Sequence, residues 1–443
     1  MKVETASKLK NCEHLSTRAS TRAFDRRGFR RPHHSASGTT LSAFPLIHNI
    51  VFSSRLRPTS AAQMITSTLV TLEDVRQAHV YIEQSGLVRR TPLLSNFTVP
   101  APGNTKATID LHLKMESLQH TGSFKIRGMT NCFRLHEETI RKHGAVTLSA
   151  GNAGRSFAYL CGRLGVVSTV CMPNTVPSDR VDTIQQLGST VELVPGVELM
   201  KAVHRYTSQG RILIHPFDDH ALIAGHGSIG LEILEDMQDL NENDVVAVCC
   251  GGGGLVSGVA AALKLSGCKA KVVAVEPIGS ACMSASVRLG RAAKEPEDFQ
   301  TDTIAHGLAP PFAGEITYNH VKHFVDEVIT VSDQELIAAT KEMYAHGFVV
   351  ETSGCAGVAA VMSGKVTCTG RYVCVVSGSN ISREDLYEEL KENDEETSGK
   401  RERQKVTNET MFAITCLFGV FVGSILLGGY HVGYHQCALD NKI

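Results

Sequence analysis

Between about residues 64 and 392, short apolar runs rich in β-branched residues alternate with segments whose apolar positions recur at helical spacing. The runs are GAVTLSAG, VSTVCMP, STVELVP, NDVVAVCCGGGG, AKVVAVEP and RYVCVVSGSN. Several are apolar on both faces, as expected of parallel strands covered on each side by helices. TLEDVRQAHVYIEQ, from Thr71, and EDLYEELK, from Glu384, read as helices. The pattern predicts an α/β protein with open, twisted parallel sheets flanked by helices. Glycine-rich turns fall at the carboxyl ends of the predicted strands, where ligands bind in open sheets.

The two ends depart from this pattern. Residues 1–63 are rich in Ser, Thr and Arg, with 11 Lys and Arg against 3 Asp and Glu. Three readings fit: a mitochondrial transit segment, basic disorder, or a chain whose true start is Met64. Residues 393–410 read as a charged linker. After it, MFAITCLFGVFVGSILLGGY (411–430) has no charge in 20 residues, enough to span about 30 Å as a helix. This predicts a transmembrane helix and a membrane-anchored protein, followed by a short tail, 431–443. Arg401, Arg403 and Lys405 precede the segment and would keep the catalytic body on the cytoplasmic side. Gly419 and Gly423 form a G-x-x-x-G that can pack two such helices. A mitochondrial location is the alternative, and the two ends are hard to reconcile.

Composition narrows the function classes. The net charge of −1 argues against a nucleic-acid partner, and 42% apolar with 20% charged residues supports a sizeable core. The 13 cysteines include no C-x-x-C and no Cys/His grouping at zinc spacing, which argues against a disulfide scaffold or a structural zinc.

Four segments carry candidate chemistry. In GSFKIRG (122–128), Lys125 lies between Phe124 and Ile126, where desolvation would lower its pKa and free the amine to attack carbonyls. In CCGGGGLVSG (249–258), Gly251, Gly252, Gly253 and Gly254 follow a strand and open a helix, an arrangement whose amides cradle a phosphate. Neither a G-x-G-x-x-G nor a Gly-Lys-Ser/Thr can be placed there, which excludes the common nucleotide loops. In SAGNAGRS (149–156), Ser149, Asn152 and the loop amides can hold a carboxylate. In VVSGSN (375–380), Ser377 ends the last strand as a short hydrogen-bonding group. Each segment also has a plain structural reading: a solvated charge for Lys125, and a turn or a cap for the other three.

Together with ESLQHTGSFKIRG, HPFDD, VEP and TIAHGLA, these segments resemble the tryptophan-synthase-β-like, or fold-type-II, pyridoxal-phosphate enzymes. They most resemble the serine/threonine dehydratase and serine racemase branch, over roughly residues 70–392. The resemblance implies two lobes: a large one from 64–143 and 222–392, and a small one, 144–221, that closes over substrate. It implies pyridoxal 5'-phosphate held covalently by Lys125, with Phe124 against its ring and Asn152 on its phenolic oxygen. Gly251 to Gly254 with Leu255 would bind the phosphate through the backbone, Gly307 would pack on the cofactor, and Ser377 would meet the pyridine nitrogen. Ser149, Ala150, Gly151, Asn152 and Ala153 would receive the substrate carboxylate. The implied activity is that of an L-serine/L-threonine ammonia-lyase, giving pyruvate or 2-oxobutanoate and ammonia. Ser377 is uncharged and cannot hold the pyridine nitrogen protonated as a carboxylate would, which favours loss of a β-hydroxyl over transamination. A homodimer is the assembly implied.

Departures from the branch discriminate among its activities. Racemases that resemble this chain place a second proton donor where Ala150 stands, so elimination is favoured over racemisation. The metal-binding relatives use a Glu and a downstream Asp; here Glu276 is retained but the second position is Cys282, a poor ligand for a hard cation. No metal is expected. His306 stands where the branch usually has Asp, and Ser379 where it has Gly, a change with no evident reason in the sequence. Serine racemase is the alternative activity. A membrane-tethered protein keeping the fold without catalysis is a further one.

Overall fold

The computed structural model describes residues 69–103 and 106–391. The described strands are β1 (Leu93–Pro100), β2 (Thr108–Met115), β3 (Ala145–Leu148), β4 (Ser168–Pro173), β5 (Thr190–Val194), β6 (Ile212–Leu213), β7 (Val245–Cys249), β8 (Lys271–Pro277), β9 (Glu327–Val331) and β10 (Tyr372–Val376). They form a six-stranded sheet, β1-β2-β10-β7-β8-β9, and a four-stranded sheet, β5-β4-β3-β6. The chain enters the larger sheet, leaves it for all of the smaller one, and returns. Each of the six apolar runs is a strand.

All strand pairs are parallel except β1 with β2. That hairpin, like β9, is a part of the sheet that the apolar runs do not announce. β1 alternates between exposed and buried positions and shifts register between Leu94 and Phe97, where Asn96 takes φ 60°. It is a half-wet edge, where alternation replaces continuous apolarity. At the centre of the sheet, by contrast, every residue of β7 is buried.

The membrane-anchored location expected above is corrected. Among the described residues no helix is long and apolar enough to cross a membrane. The two most apolar long helices, His220–Asp236 (17 residues) and Gly254–Leu265 (12 residues), pack against each other and supply core side chains. Their apolar surface is already covered by protein. Residues 411–430, on which the expectation rested, lie outside the described residues, as do 1–63, 393–410 and 431–443.

Candidate active site

The carboxyl ends of β7 and β10 and the loop after β3 meet around a cavity of about 240 Å³. Its floor is the turn before the Lys125–Leu135 helix. Gly122 takes φ 72°, and a Cβ there would lie 2.4 Å from Asn380 Oδ1, so only glycine fits this approach. The turn is tied to the end of β10 at several points. Phe124 N donates to Ser377 O (3.0 Å), Asn380 Nδ2 to Thr121 O (2.8 Å), and Ser379 N to Gly122 O (2.8 Å). Ser379 Oγ donates to Ser117 O at 2.9 Å and reaches Gly122 O at 3.4 Å. That supplies a physical role for the serine that the sequence left without one.

Lys125 opens the helix and turns its amine into the cavity, where Nζ donates to Pro216 O at 2.6 Å and lies 5.1 Å from the Phe124 ring centroid. Its partial exposure is to the cleft, and protein surrounds it on all other sides. Burial pulls the amine pKa down to about 8, against the opposing pull of Glu351. The HPFDD segment holds the acceptor in place. His215 Nδ1 accepts from Asp218 N (2.9 Å) and Phe217 N (3.3 Å), so its proton resides on Nε2; burial first, and Lys125 as well, depress its pKa to about 4. Asp218 accepts from Thr317 N at 3.0 Å, at the start of the Glu315–Phe324 helix, and Asp219 caps the His220–Asp236 helix through Leu222 N at 2.9 Å. The strand-to-helix turn is thereby locked from both sides.

Opposite the amine lies the four-glycine turn. Gly253 has φ 89° and the helix begins at Gly254 with no side-chain cap, so the first-turn amides lack intrahelical partners. Added Cβ atoms would meet the Phe217 ring at 2.5 Å from Gly252 and Met283 Cε at 2.7 Å from Gly253. The turn is a cradle of bare backbone, suited to an anion at a helix N-terminus. Leu255 lines the same wall, and so does Gly307, whose N–H is fixed on Ser353 Oγ at 2.9 Å. Ser377 is buried on the floor. The neighbouring Cys249 thiol donates to Val375 O at 3.5 Å, and burial pushes its pKa up to about 11.

The expected residues do not all converge. Ser149, Asn152 and Ala153 line the cavity. Ala150 and Gly151 do not: Ala150 packs toward the core of the smaller sheet and Gly151 is exposed. Asn152 Nδ2 donates to Glu351 Oε1 at 2.6 Å, and its Oδ1 accepts from Asn380 Nδ2 at 2.5 Å. Glu351 is a cavity residue that the motifs did not single out; its signal was an acidic side chain opening the small-residue run ETSGCAG. Pro216, Phe217 and Ser353 were missed as well, while His306 does reach the cavity.

Glu276 accepts from Met283 N (2.7 Å), Ser284 N (2.8 Å) and Ser284 Oγ (2.7 Å), and burial raises its pKa to about 7. Cys282 Sγ donates instead to Gly251 O at 3.5 Å. Among the described residues three metal-capable side chains come together at His79, Glu83 and Glu235. None of them lines the cavity, and Glu235 is already paired with Arg90.

Residues 84–378 match the family model described as pyridoxal-phosphate dependent enzyme. The chain belongs to this family. It is 37% identical over 319 residues to an L-threonine ammonia-lyase of Thermotoga maritima, covering 71% of this chain and 76% of that one. It is 32% identical to a catabolic L-threonine dehydratase of Staphylococcus aureus, covering 73% and 92%. The structure of maize serine racemase superposes with a TM-score of 0.64 at 30% identity, covering 72% of this chain and 97% of the racemase. Pyridoxal phosphate is the family's cofactor, and the residues of the cleft fit it. An amine of lowered pKa stands ready for the aldehyde, a backbone cradle for the phosphate, and an uncharged hydroxyl for the ring.

Proposed function

We propose that this cleft removes the β-hydroxyl of L-threonine or L-serine and releases ammonia with 2-oxobutanoate or pyruvate. The observation that carries the reading is the Lys125 amine, held at a pKa of about 8 in a cavity shared with the four-glycine turn. The names of the most similar curated relatives support the substrate class. The bound cofactor supplies an electron sink for the pair left at Cα when its proton departs. Lys125 is the base for that proton, since its pKa lies within about one unit of neutrality and its direction is set by Pro216 O. The proton taken from Cα and the hydroxide lost from Cβ leave together as water, and hydrolysis of the resulting enamine releases ammonia.

In this reading Phe124 faces the cofactor ring, the amides of Gly251 to Leu255 hold its phosphate, and Gly307 packs beside it. Ser377 meets the ring nitrogen without adding charge. Asn152 Nδ2, which donates to Glu351, would be the group that donates to the phenolic oxygen. The loop Ser149 to Ala153, at the start of the Asn152–Leu164 helix, takes the substrate carboxylate. Residues 144–221 act as a lobe that closes over substrate, a role supported by a sheet of its own. Two copies pair as a homodimer, which sedimentation tests.

The full chain supplied with pyridoxal phosphate should turn yellow and release ammonia from threonine, serine or both. A colourless protein that stays inert with added cofactor would overturn the reading. Serine racemase is the second reading, favoured by the maize structure. Against it, Ala150 has no proton to donate and lies off the cavity wall. Chiral analysis of the products decides: D-serine accumulating faster than pyruvate would establish the racemase.

A further inference from the structure

Behind the cleft lies a histidine that the reaction above does not use. His226, on the His220–Asp236 helix, is fully buried, and neither ring nitrogen has a hydrogen-bond partner among the described residues. An apolar side chain in the same space would avoid that desolvation cost, so stability alone disfavours histidine here. The space is nevertheless shaped for an imidazole. A Cβ on Gly128, from the Lys125–Leu135 helix, would lie 2.5 Å from His226 Cε1 and 2.8 Å from Nε2. A Cβ on Gly225 would lie 2.7 Å from Gly128 Cα. Two glycines thus let the helices close around the ring.

What the imidazole touches is Phe124. The two rings meet edge-to-face, with centroids 4.8 Å apart and planes at 64°. Phe124 in turn carries the Lys125 amine 5.1 Å from its centroid. Burial, with the nearby cations Lys125 and Arg127, holds the His226 pKa well below its usual value, so the ring is a neutral dipole rather than a third cation.

We propose that His226 is a positioning residue whose ring fixes the plane of Phe124 and, through it, the approach of Lys125 to the cofactor. This rests on the reading of the cleft as the cofactor site. The tilted ring-on-ring contact, 4.8 Å between centroids, orients two aromatic groups against each other, which an aliphatic side chain of similar volume cannot do. The fold keeps a locally unfavourable group because the site uses its direction.

The test is H226L in the full chain, read by thermal unfolding without cofactor, by the visible band of the lysine-bound cofactor, and by kcat and KM. The expected result is an unfolding midpoint equal to or above that of the unsubstituted protein, a shifted band, kcat at least about fivefold lower and KM within about twofold. H226Q restores a planar polar group and should recover at least half of the lost kcat. Wild-type kcat with an unshifted band in H226L would overturn the assignment. If H226L does not fold, H226N takes its place, being polar but too short to reach Phe124, with the same losses expected. Failure of both to fold would show a purely structural role and overturn the assignment as well. A wild type that takes up no cofactor defeats both this assignment and the reading of the cleft; uptake with unshifted bands in the variants defeats this assignment alone.

Discussion

Lys125 and Arg127 lie two positions apart on one helix, both enclosed by protein, yet burial acts on them with opposite results. Behind the helix, Arg127 Nε donates to Glu116 at 2.8 Å, and its terminal nitrogens reach Glu232 at 2.7 Å and 2.9 Å, Glu116 at 2.9 Å and Ser228 Oγ at 3.1 Å. Lys114 adds a second cation, 2.6 Å from Glu232. Two cations and two carboxylates cancel. Burial lowers the Arg127 pKa, but Glu116 and Glu232 outweigh it and leave the guanidinium more firmly charged than usual. In front, Lys125 has only the attraction of Glu351 to set against burial, and its pKa falls. The difference lies in whether an anion is desolvated along with the cation. One turn of helix thus anchors itself to the body through Arg127 and presents a deprotonatable amine through Lys125.

The largest effect should come from breaking the front. Lys125→Ala removes the proposed base and covalent anchor, and turnover should fall by about 10³-fold or more in an ammonia-release assay. Unfolding by urea should show no loss of stability. A variant that kept a tenth of wild-type turnover would place the chemistry elsewhere. Breaking the back should reverse the pattern. Arg127→Met leaves Glu116 and Glu232 facing a single remaining cation, Lys114, and should cost about 3–5 kcal/mol in the same unfolding measurement. A neutral outcome would mean that water reaches the network and the two sides of the helix are not so different.

This contrast was only half legible in the sequence. Lys125 could be found because its apolar neighbours imply desolvation, and the glycine run because consecutive residues without side chains have few other uses. Six of the parallel strands were legible because they are short runs rich in β-branched residues, several of them apolar on both faces. Arg127 and its partners were not, because Glu116 and Glu232 are 116 residues apart and meet only through the tertiary fold. The same holds for Glu351, which reaches Asn152 across 199 residues. β1 stayed hidden because a half-exposed edge strand reads like many loops, and β2 because polar and charged residues interrupt its apolar positions. Ala150 and Gly151 were placed in the site because the resemblance implies the whole loop, Ser149 to Ala153, as the carboxylate receiver. In the fold the chain turns between Ser149 and Asn152, so that Ser149, Asn152 and Ala153 face the cavity while Ala150 and Gly151 do not.

The comparison sharpens with pH. A cation whose folded pKa lies near 8 against a usual 10.5 binds fewer protons when folded than when unfolded throughout that window. Stability without cofactor therefore carries a constant penalty below pH 8, which is relieved as pH rises toward 10.5. Lys125→Met removes the group, so at pH 7 the cofactor-free variant should be more stable than wild type by about 1–3 kcal/mol. The gain should vanish above about pH 10.5. Parallel stability–pH curves for the two proteins between pH 7 and 10.5 would show that the amine is solvated rather than confined.

The smallest expected effect concerns how the front is held in register. Ser379 ties the turn before Lys125 to the end of β10 in two ways, through its backbone N–H to Gly122 O and its hydroxyl to Ser117 O. Ser379→Ala keeps the first bond and deletes the second, leaving the Ser117 carbonyl without that donor, and should cost about 1 kcal/mol by urea unfolding. Ser379→Thr retains the hydroxyl and should sit close to wild type, whereas Ser379→Gly should lose slightly more than alanine because it also frees the backbone. Because the lost bond lies on the floor of the cleft rather than in the Arg127 network, its cost should add to that of Arg127→Met within about 0.5 kcal/mol in the double variant. Strong non-additivity would show that the two sides of the helix move as one unit and that the division between anchor and active face is too sharp.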